Sequence, residues 1–543
     1  MDKHIWSVSS DAVQPEIMFY PEKGVILEET DFKKRKKRSE ERMIRDNEEV
    51  SPGELQARIF KRFIRGNYMA DHEEWYMFDV MDRNTYTLLP NYYTFITQFK
   101  SEKWPVLNLA LEAYLKDRNE NSVSSYRWFF TGINRGERIN LELKEAPLNH
   151  LLETGIEKSG DVDDEDDEVN LNDIIIAKGE YLFSVFRARY GDDEFNGFLN
   201  QFIENHKNRS FSFEDFEKDI EGHFNEDISR EVDNWFSKKE LPGFLIKDLQ
   251  TYKVMEGEFT KYQVRFKISN PEEVDGLVTI NIDLDDPNNQ RRRGSIETPD
   301  FSQKLHIPAK TAKEIGFVFI SEPARMNIYT HISENLPNNL IYDFSSFDEI
   351  KKTAILDEII DCKLFTDLDN DNEILVDNES ENFEFQQDLQ KSYLKSLIDK
   401  NKKQGYKYSG IRWWNPPAEW KPVLRSGFYG KYVRSAVYTK AGHGERTATW
   451  KAPLESDGQY DVYCHVEKIN VNRRGSAKKS NYNFKVYHED GMDEITLSDE
   501  ELEDGWNYLG SFFVTPSTAK VELTNKSIGE MIFADAVKWV KNE

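Results

Sequence analysis

A chain of 543 residues is longer than one hydrophobic core usually supports, so several domains are expected. Apolar residues make up 38% of it and aromatic residues 13%, which excludes a chain that is disordered throughout. The net charge of −27 argues against nucleic acid as a partner, because binding phosphates requires a clustered positive surface.

The two cysteines, Cys362 and Cys464, exclude a disulfide framework and a cysteine-based zinc site. No run of about 18 apolar residues occurs, so no transmembrane segment is expected. The N-terminus MDKHIWSVSS lacks the apolar core of a signal peptide. We expect a soluble chain. If the protein functions outside the cytoplasm, a leader or membrane segment is expected before Met1.

The N-terminal half is predicted to be charged and then helical. Residues 1–50 form a charged arm that ends near the basic run Lys33 to Arg38, a pattern typical of a solvated surface. Ser51-Pro52-Gly53-Glu54 is a helix start, with Ser at the N-cap and Pro at the first helical position. Helical periodicity then predicts a mostly helical region over 51–243.

After Leu241-Pro242-Gly243 the apolar period changes from helical to alternating. Segments such as YQVRFKIS and GLVTINIDL predict a small immunoglobulin-like β-sandwich over 246–340. Residues 341–372 are expected to form an acidic linker, with a short helix in the part from 345 to 372. Near its end, carboxylates at calcium-loop spacing make a candidate calcium site, although the glycine and the distal glutamate of an EF-hand are missing: Asp367, Asp369, Asp371 and Glu373.

Part of the helical region resembles the helical end of the catalytic domain of gluzincin aminopeptidases. The matching features, within 177–243, are Lys178-Gly179 opening a helix, the run from Gly191 to Phe195, the segment from Phe211 to Phe216, and Trp235 followed by Leu241-Pro242-Gly243. In that family a catalytic tyrosine stands two residues before the Lys-Gly pair. This chain has Ile176 there, and an alkyl side chain has no proton to donate to an oxyanion.

The zinc ligands that this resemblance implies are also missing. No H-E-x-x-H motif occurs, and the nearest string, His72 to Tyr76, ends in tyrosine. Alignment backwards from Lys178 places Leu89 to Tyr93 on the zinc helix and Glu112 at the glutamate ligand. Either the peptidase site has decayed or it lies upstream of Met1, so we expect no zinc, no other cofactor and no peptide hydrolysis by this chain.

The last third of the chain, residues 373–543, is predicted to be a β-sandwich. Its segments alternate or are rich in β-forming residues, and Gly, Pro, Asn or Asp separates most of them. It is similar to the golvesin C-terminal and xanthan lyase binding domain, a jelly-roll family with carbohydrate-binding relatives. The motifs that carry this similarity are VDNE, NPPAEWKPV, the turn Gly427 to Gly430, TATWKAP, GQYDVY, GWNYLG and ADAV. A lysine-rich helix over 384–402 departs from that pattern as an insertion.

Aromatic side chains of this module are the candidate ligand-binding residues, because aromatic rings stack on the C–H faces of sugars. The alternative is that they fill the sandwich. Adjacent tryptophans on a strand point to opposite faces, so we expect one member of the Trp413–Trp414 pair to be exposed. The candidates are Trp413, Trp414, Trp420, Tyr429 and Tyr432.

Together these features predict a multidomain α+β protein, in which a helical peptidase-like region precedes two all-β sandwiches, the last jelly-roll-like. The leading hypothesis is a non-catalytic binding or scaffold protein whose partner is a glycan or a cell-surface protein. One alternative is the C-terminal portion of a membrane-linked zinc aminopeptidase with its metal site upstream. Another is a cell-surface or gliding-associated assembly subunit. The resemblances imply large membrane or surface proteins of the Bacteroidetes type, and hence the periplasm or cell surface.

Overall fold

The computed structural model describes the chain in segments. They are residues 135–155, 169, 171–206, 211–256, 259–285, 299–344, 346–350, 355–368, 372–385, 406–408, 410–413, 415–469 and 480–542, with scattered positions between 33 and 114. In these segments, no helix is long and apolar enough to span a membrane. The arm 1–50, the strings 72–76 and 89–93, and Glu112 lie wholly or almost wholly outside the described residues.

The helices with defined bounds are α1 (Arg135–Glu145), α2 (Leu148–Thr154), α3 (Leu171–Tyr190), α4 (Asp192–Asn205), α5 (Phe213–Phe224) and α6 (Ser229–Ser237). Helices α2 to α6 belong to one compact unit, with the two-residue parallel strands β1 (Phe99–Lys100) and β2 (Phe211–Ser212). Phenylalanines fill its core, among them Phe183, Phe186 and Phe195. Ser212 caps α5 by accepting a hydrogen bond from the Asp215 amide, and the Asp215 carboxylate accepts one from the Ser212 amide.

Helix α1 belongs to the second unit, with both sandwiches, which corrects its assignment to the helical region 51–243. Its Asn140 side chain donates to the His331 carbonyl at 2.9 Å, and Lys144 pairs with Glu334. The helix buries polar residues, Asn140 among them. Ile139 and Leu143 are buried beside these polar residues, and one pair of apolar residues does not identify the tertiary partner of a helix.

Nine strands of the middle sandwich lie in the described residues. They are β3 (Leu245–Glu256), β4 (Phe259–Asn270), β5 (Gly276–Leu284), β6 (Phe301–Ile307), β7 (Thr311–Phe319), β8 (Pro323–Tyr329), β9 (Asn339–Asp343), β10 (Asp348–Ile350) and β11 (Ile359–Cys362). One sheet has the order β10-β3-β4-β7-β11 and the other β6-β5-β8-β9. Between them lie buried Val264, Phe266, Ile280 and Ile328. The immunoglobulin-like assignment stays a prediction.

Strands β10 and β11 correct the expected short helix and linker over 341–372. Strand β10 pairs with β3 in parallel, and β11 pairs with β7 antiparallel, so the acidic segment completes a sheet. Their sequences, DEI and IIDC, are too short to show a period of their own. Hydrogen bonding to the longer strands β3 and β7 makes these segments extended, although their own sequences do not predict strands.

The terminal module contains β12 (Glu373–Val376), β13 (Phe383–Phe385), β14 (Lys421–Leu424), β15 (Ser435–Lys440), β16 (Thr447–Lys451), β17 (Gly458–Val466), β18 (Asn481–His488), β19 (Gly491–Ser498), β20 (Gly505–Val514), β21 (Lys520–Thr524), β22 (Met531–Ala534) and β23 (Val537–Lys541). A four-stranded sheet, β12-β23-β17-β20, and a five-stranded sheet, β13-β16-β21-β18-β19, enclose a core with Trp450 and Trp539. A third sheet has the order β14-β15-β22. The described part of the module is all-β, and its jelly-roll assignment stays a prediction.

The predicted inserted helix 384–402 is corrected at its start, because Glu384 and Phe385 lie in strand β13 and pair with β16. The remainder of that helix, from 386 onwards, lies outside the described residues. The two sandwiches meet where the Leu336 amide donates to the Tyr432 carbonyl and the Leu336 carbonyl accepts from the Arg434 amide.

Candidate functional site

The outer face of the four-stranded sheet carries the candidate site. In strand β17, Tyr460, Val462 and Cys464 point into the core, so the residues between them point outward. Those outward residues are Asp461, Tyr463 and His465. The alternation therefore presents a carboxylate, a phenol and an imidazole in one row on a regular strand.

The neighbouring edge strand β20 adds two aromatic rings to that row. The register places His465 opposite Trp506 and Tyr463 opposite Tyr508. The ring centroids of His465 and Trp506 are 5.0 Å apart, and those of Tyr463 and Tyr508 are 5.3 Å apart. Tyr508 remains 52% exposed. We call this group of four rings the aromatic face.

A β-bulge sets where the rings of β20 point. The register shifts between Val462 and Tyr463, because Val462 pairs with Gly510 and Tyr463 with Tyr508, which leaves Leu509 as the extra residue. Gly510 has φ of 147°, a backbone conformation that side chains disfavour. A Cβ there would also lie 2.5 Å from the Phe512 ring. The bulge lets Leu509 enter the core while Tyr508 stays outside.

Polar side chains continue the same face beyond the bulge. The Ser511 hydroxyl accepts hydrogen bonds from the Gln459 amide at 3.0 Å and the Asn542 amide at 3.2 Å. Asn542 also donates to Asp461 at 3.2 Å. Phe513, 48% exposed, lies opposite Gln459. Rings and hydrogen-bonding groups thus lie side by side on an open sheet.

The side chain of Lys538 lies over the aromatic face. The Lys538 ammonium of β23 is 4.7 Å from the Trp506 ring centroid and 5.4 Å from that of Tyr463. It also pairs with Glu373 of β12 at 3.2 Å, and both side chains are largely buried. The lysine supports the two rings and has its charge balanced within the sheet.

At one end of the face, a buried carboxylate ties a loop to the sheet. Asp535, in the β22–β23 connection, lies 2.7 Å through Oδ2 from Nδ1 of His465. Its carboxylate also accepts from the Tyr429 amide at 3.1 Å and 3.2 Å. The Tyr429 ring is 5.2 Å from Trp506 and 5.7 Å from His465, between centroids. Burial raises the pKa of the Asp535 carboxyl, and the imidazole of His465 opposes that shift.

A second carboxylate nearby is held by arginine. Glu467 accepts hydrogen bonds at 2.7 Å on both oxygens from Nε of Arg425. Burial raises the pKa of Glu467, and the Arg425 guanidinium opposes the shift. Gly427 lies against this carboxylate, since a Cβ there would be 2.4 Å from its carbon. The pair fixes the loop that carries Tyr429.

The five predicted aromatic residues do not form one platform. Trp420 is 3% exposed within the module core, which corrects its prediction as a ligand-binding residue. Trp413 is half-buried against a cluster that includes Phe428, outside any strand, so the alternation argument does not apply to it. Trp414 lies outside the described residues. Of the four described members of the set, Tyr429 is the one that lies at the aromatic face.

Tyr432 lies at the junction with the middle sandwich. Its hydroxyl donates to Glu272 at 2.6 Å, and its ring occupies the space where a side chain of Gly243 would be. Burial and the Glu272 carboxylate raise the pKa of the Tyr432 phenol. This tyrosine joins two sandwiches and is not available to a ligand.

The candidate calcium residues are only partly described. Asp369 and Asp371 lie outside the described residues, whereas Glu373 is the partner of Lys538. Among the described residues no group of three His, Cys, Asp or Glu side chains is placed to hold a metal ion. Calcium at Asp367 therefore stays a prediction.

The residues of the peptidase resemblance run from α3 to the segment after α6, and Lys178 and Gly179 lie inside α3, which begins at Leu171, rather than at the start of a helix. Ile176 is on α3, and the carbonyl of Lys178 accepts from Trp235 Nε1 at 2.7 Å. Burial lowers the pKa of the Lys178 ammonium to about 7. A Cβ at Gly179 would lie 2.4 Å from the Cα of Ala110, so the glycine permits a close helix contact. These residues hold the helices together.

Trp506, Tyr463 and Tyr508 were missed as site residues. A signal for them was present, because GWNYLG places its two aromatic residues at i and i+2, on one face of a strand. Tyr463 and His465 have the same spacing in YDVYCH. The spacing does not predict which strands are neighbours in the sheet, or the register in which they pair.

The geometry defines this module as a β-sandwich with an open aromatic outer face. Residues 415–541 match the model of the Golvesin C-terminal domain family, which supports a carbohydrate-binding-like module. No curated protein matches the chain.

Solved structures give weak likenesses. The xanthan lyase of Paenibacillus has 13% identity and a TM-score of 0.22, with 56% of this chain and 27% of that chain covered. A β-glucuronidase of Bacteroides uniformis has 11% identity and a TM-score of 0.17, with 56% and 30% covered. This chain thus spans less than a third of either structure, and TM-scores of this size do not establish a common fold.

Proposed function

We propose that this chain is a non-catalytic multidomain binding protein whose terminal module binds a saccharide at the aromatic face. The observation that carries the proposal is the juxtaposition of Tyr463, Trp506 and Tyr508 with His465 on one exposed sheet surface. A pyranose has apolar C–H faces and a rim of hydroxyl groups, so it needs rings to stack on and polar groups beside them. Gln459, Asp461 and Ser511 supply the polar groups.

The charge of this surface favours a neutral saccharide. Lys538 is paired with Glu373, Arg425 with Glu467, and His465 with Asp535. A pair whose charges are already matched offers little net attraction to a uronate or sulfate group. The terminal segment 411–543 is also nearly neutral in sequence, with 18 basic and 19 acidic residues. A neutral oligosaccharide is therefore the expected ligand.

In this proposal the helical unit is a structural platform. Its support comes from the sequence, which has Ile176 at the position of the catalytic tyrosine and no H-E-x-x-H motif. Zinc analysis and an aminopeptidase assay on the purified chain test this part. Stoichiometric zinc together with peptide hydrolysis would favour the alternative, a portion of a zinc aminopeptidase.

The saccharide proposal is tested with the full chain and an array of neutral and acidic oligosaccharides. We expect binding to neutral members, and a loss of at least about tenfold in affinity for the double variant Trp506→Ala plus Tyr508→Ala, since stacked rings dominate such sites. Tyr487→Ala is the matched control, because Tyr487 pairs with Met492 on the five-stranded sheet. No binding to any member, or equal binding by both variants, would overturn the proposal. A tight protein partner under those conditions would favour an assembly subunit.

A further inference from the structure

His465 combines two properties that no other side chain of the aromatic face has. Its Nδ1 is held at 2.7 Å by the buried carboxylate of Asp535, whereas no described residue hydrogen bonds its Nε2. Its side chain keeps 11% of its surface exposed between the rings of Tyr429 and Trp506. One nitrogen is therefore fixed by the protein and the other is left for a ligand.

The carboxylate of Asp535 sets the chemistry of that second nitrogen. A neutral imidazole beside an ionised carboxylate keeps its proton on Nδ1, so Nε2 can only accept a hydrogen bond. A protonated imidazole still donates from Nδ1, and Nε2 then becomes a charged donor. Protonation thus reverses the role of Nε2 while the ring stays in place.

Asp535 also positions the loop. Because its oxygens accept from the Tyr429 amide as well, the same carboxylate fixes His465 and the ring that packs beside it. Its backbone carbonyl accepts from Trp450 Nε1 at 3.0 Å, which anchors the connection to the core. Asp535 is a positioning residue, since it acts on the face through its two partners.

We propose that His465 is a specificity-determining residue of the aromatic face, and that its Nε2 hydrogen bonds a saccharide oxygen and strengthens neutral-oligosaccharide binding on protonation. This rests on the proposed function. Charge-assisted hydrogen bonds are roughly twice as strong as neutral ones, so binding should be about fivefold tighter at pH 5 than at pH 8.

Other charged groups near this pair must be accounted for in reading that pH dependence. Those that act on Asp535 besides His465 are Tyr429 from the loop after β14, Arg434 before β15, Glu467 just after β17 with its partner Arg425, and buried Cys464 and Tyr482. Farther out, Asp504 before β20 acts on Glu467, and Lys538 of β23 lies over the Trp506 ring beside His465. A change between pH 5 and pH 8 is therefore assigned to His465 only when its own variants remove it.

The experiment uses the full chain with cellohexaose, mannohexaose and chitohexaose as probes, and calorimetry at pH 5, 6, 7 and 8. His465→Gln places an amide N–H near the position of Nε2 at every pH, so binding should persist and its pH dependence fall below about twofold. His465→Asn places its amide near Nδ1 and should weaken binding about fivefold or more at pH 5. His488→Gln is the matched control, since that histidine lies on β18 near Asp493, and it should retain the wild-type profile.

Asp535→Asn provides a readout that does not depend on a glycan. Its amide would donate to Nδ1 and force the proton of neutral His465 onto Nε2, which nitrogen-15 NMR of the imidazole detects. If this buried variant does not fold, the wild-type pH profile and the two His465 variants still decide the question. Binding that needs Trp506 but is flat with pH and indifferent to His465→Asn would overturn this inference and leave the proposed function intact. If the wild-type chain binds no probe and no array member, the proposed function itself fails.

Discussion

The two outer faces of the terminal module differ although the same rule of alternation builds both. The four-stranded sheet presents Tyr463, Trp506 and Tyr508, whereas the five-stranded sheet presents threonines and ion pairs. Those ion pairs are Lys451–Glu384, Lys485–Glu494 and Lys520–Glu522. Exposed pairs of this kind contribute little to stability but keep a sheet face soluble.

A ring on the charged face is covered by a cation. Tyr487 lies under Lys520, with the ammonium 3.7 Å from its ring centroid, and its hydroxyl donates to Glu522. On the aromatic face, Lys538 lies over Trp506 and Tyr463, whereas no cation among the described residues lies over Tyr508, which is half exposed. The number of aromatic residues on a sheet therefore does not by itself predict a binding surface. A ring is accessible to a ligand only where the neighbouring side chains do not cover it.

The largest expected effect tests the core that both faces share. Trp450 is 1% exposed, and its indole donates to the Asp535 carbonyl. Trp450→Ala should lower the free energy of unfolding of the module by about 3–5 kcal/mol and impair both sheets. Urea unfolding followed by circular dichroism measures it. A loss of less than about 1 kcal/mol would mean that the faces do not depend on one core.

The next prediction exchanges one tyrosine on each face. Tyr508→Ala should weaken oligosaccharide binding about tenfold and leave thermal stability nearly unchanged, because the ring is half outside the fold. Tyr487→Ala should leave binding unchanged. Titration of both variants with the oligosaccharide that the wild-type chain binds measures the contrast. Equal losses of affinity would erase the distinction between the faces.

The smallest effect concerns two tyrosines of one loop. Tyr429 contributes to the aromatic face, whereas Tyr432 bonds Glu272 of the middle sandwich. Tyr432→Phe removes one hydrogen bond and should lower the free energy of unfolding by about 1 kcal/mol, with no change in saccharide affinity. Tyr429→Ala should instead reduce affinity. A loss of saccharide affinity in Tyr432→Phe would show that Tyr432 contributes to ligand binding after all.

Sequence reasoning found the terminal module and the helical region, but placed only part of the site. Tyr429 was among the predicted ligand residues, yet Trp420, chosen for the same reason, is in the core. Composition cannot separate these cases, because a tryptophan suits a buried site as well as an exposed one. The segment 341–372 was misjudged for a related reason, since β10 and β11 are strands only by pairing with longer partners.

The sequence by itself determined several strands of the module, such as β16, β17 and β18, because their side chains alternate and glycine, proline, asparagine or aspartate separates most of them. It did not separate β22 from β23, which lie in different sheets. It also determined which residues of one strand share a face, such as Trp506 with Tyr508. Only the tertiary structure decided that these residues lie beside Tyr463 and His465, that Asp535 fixes Nδ1 of that histidine, and that Tyr432 bonds another sandwich. Such contacts join residues far apart in the chain, and their register depends on how every strand packs.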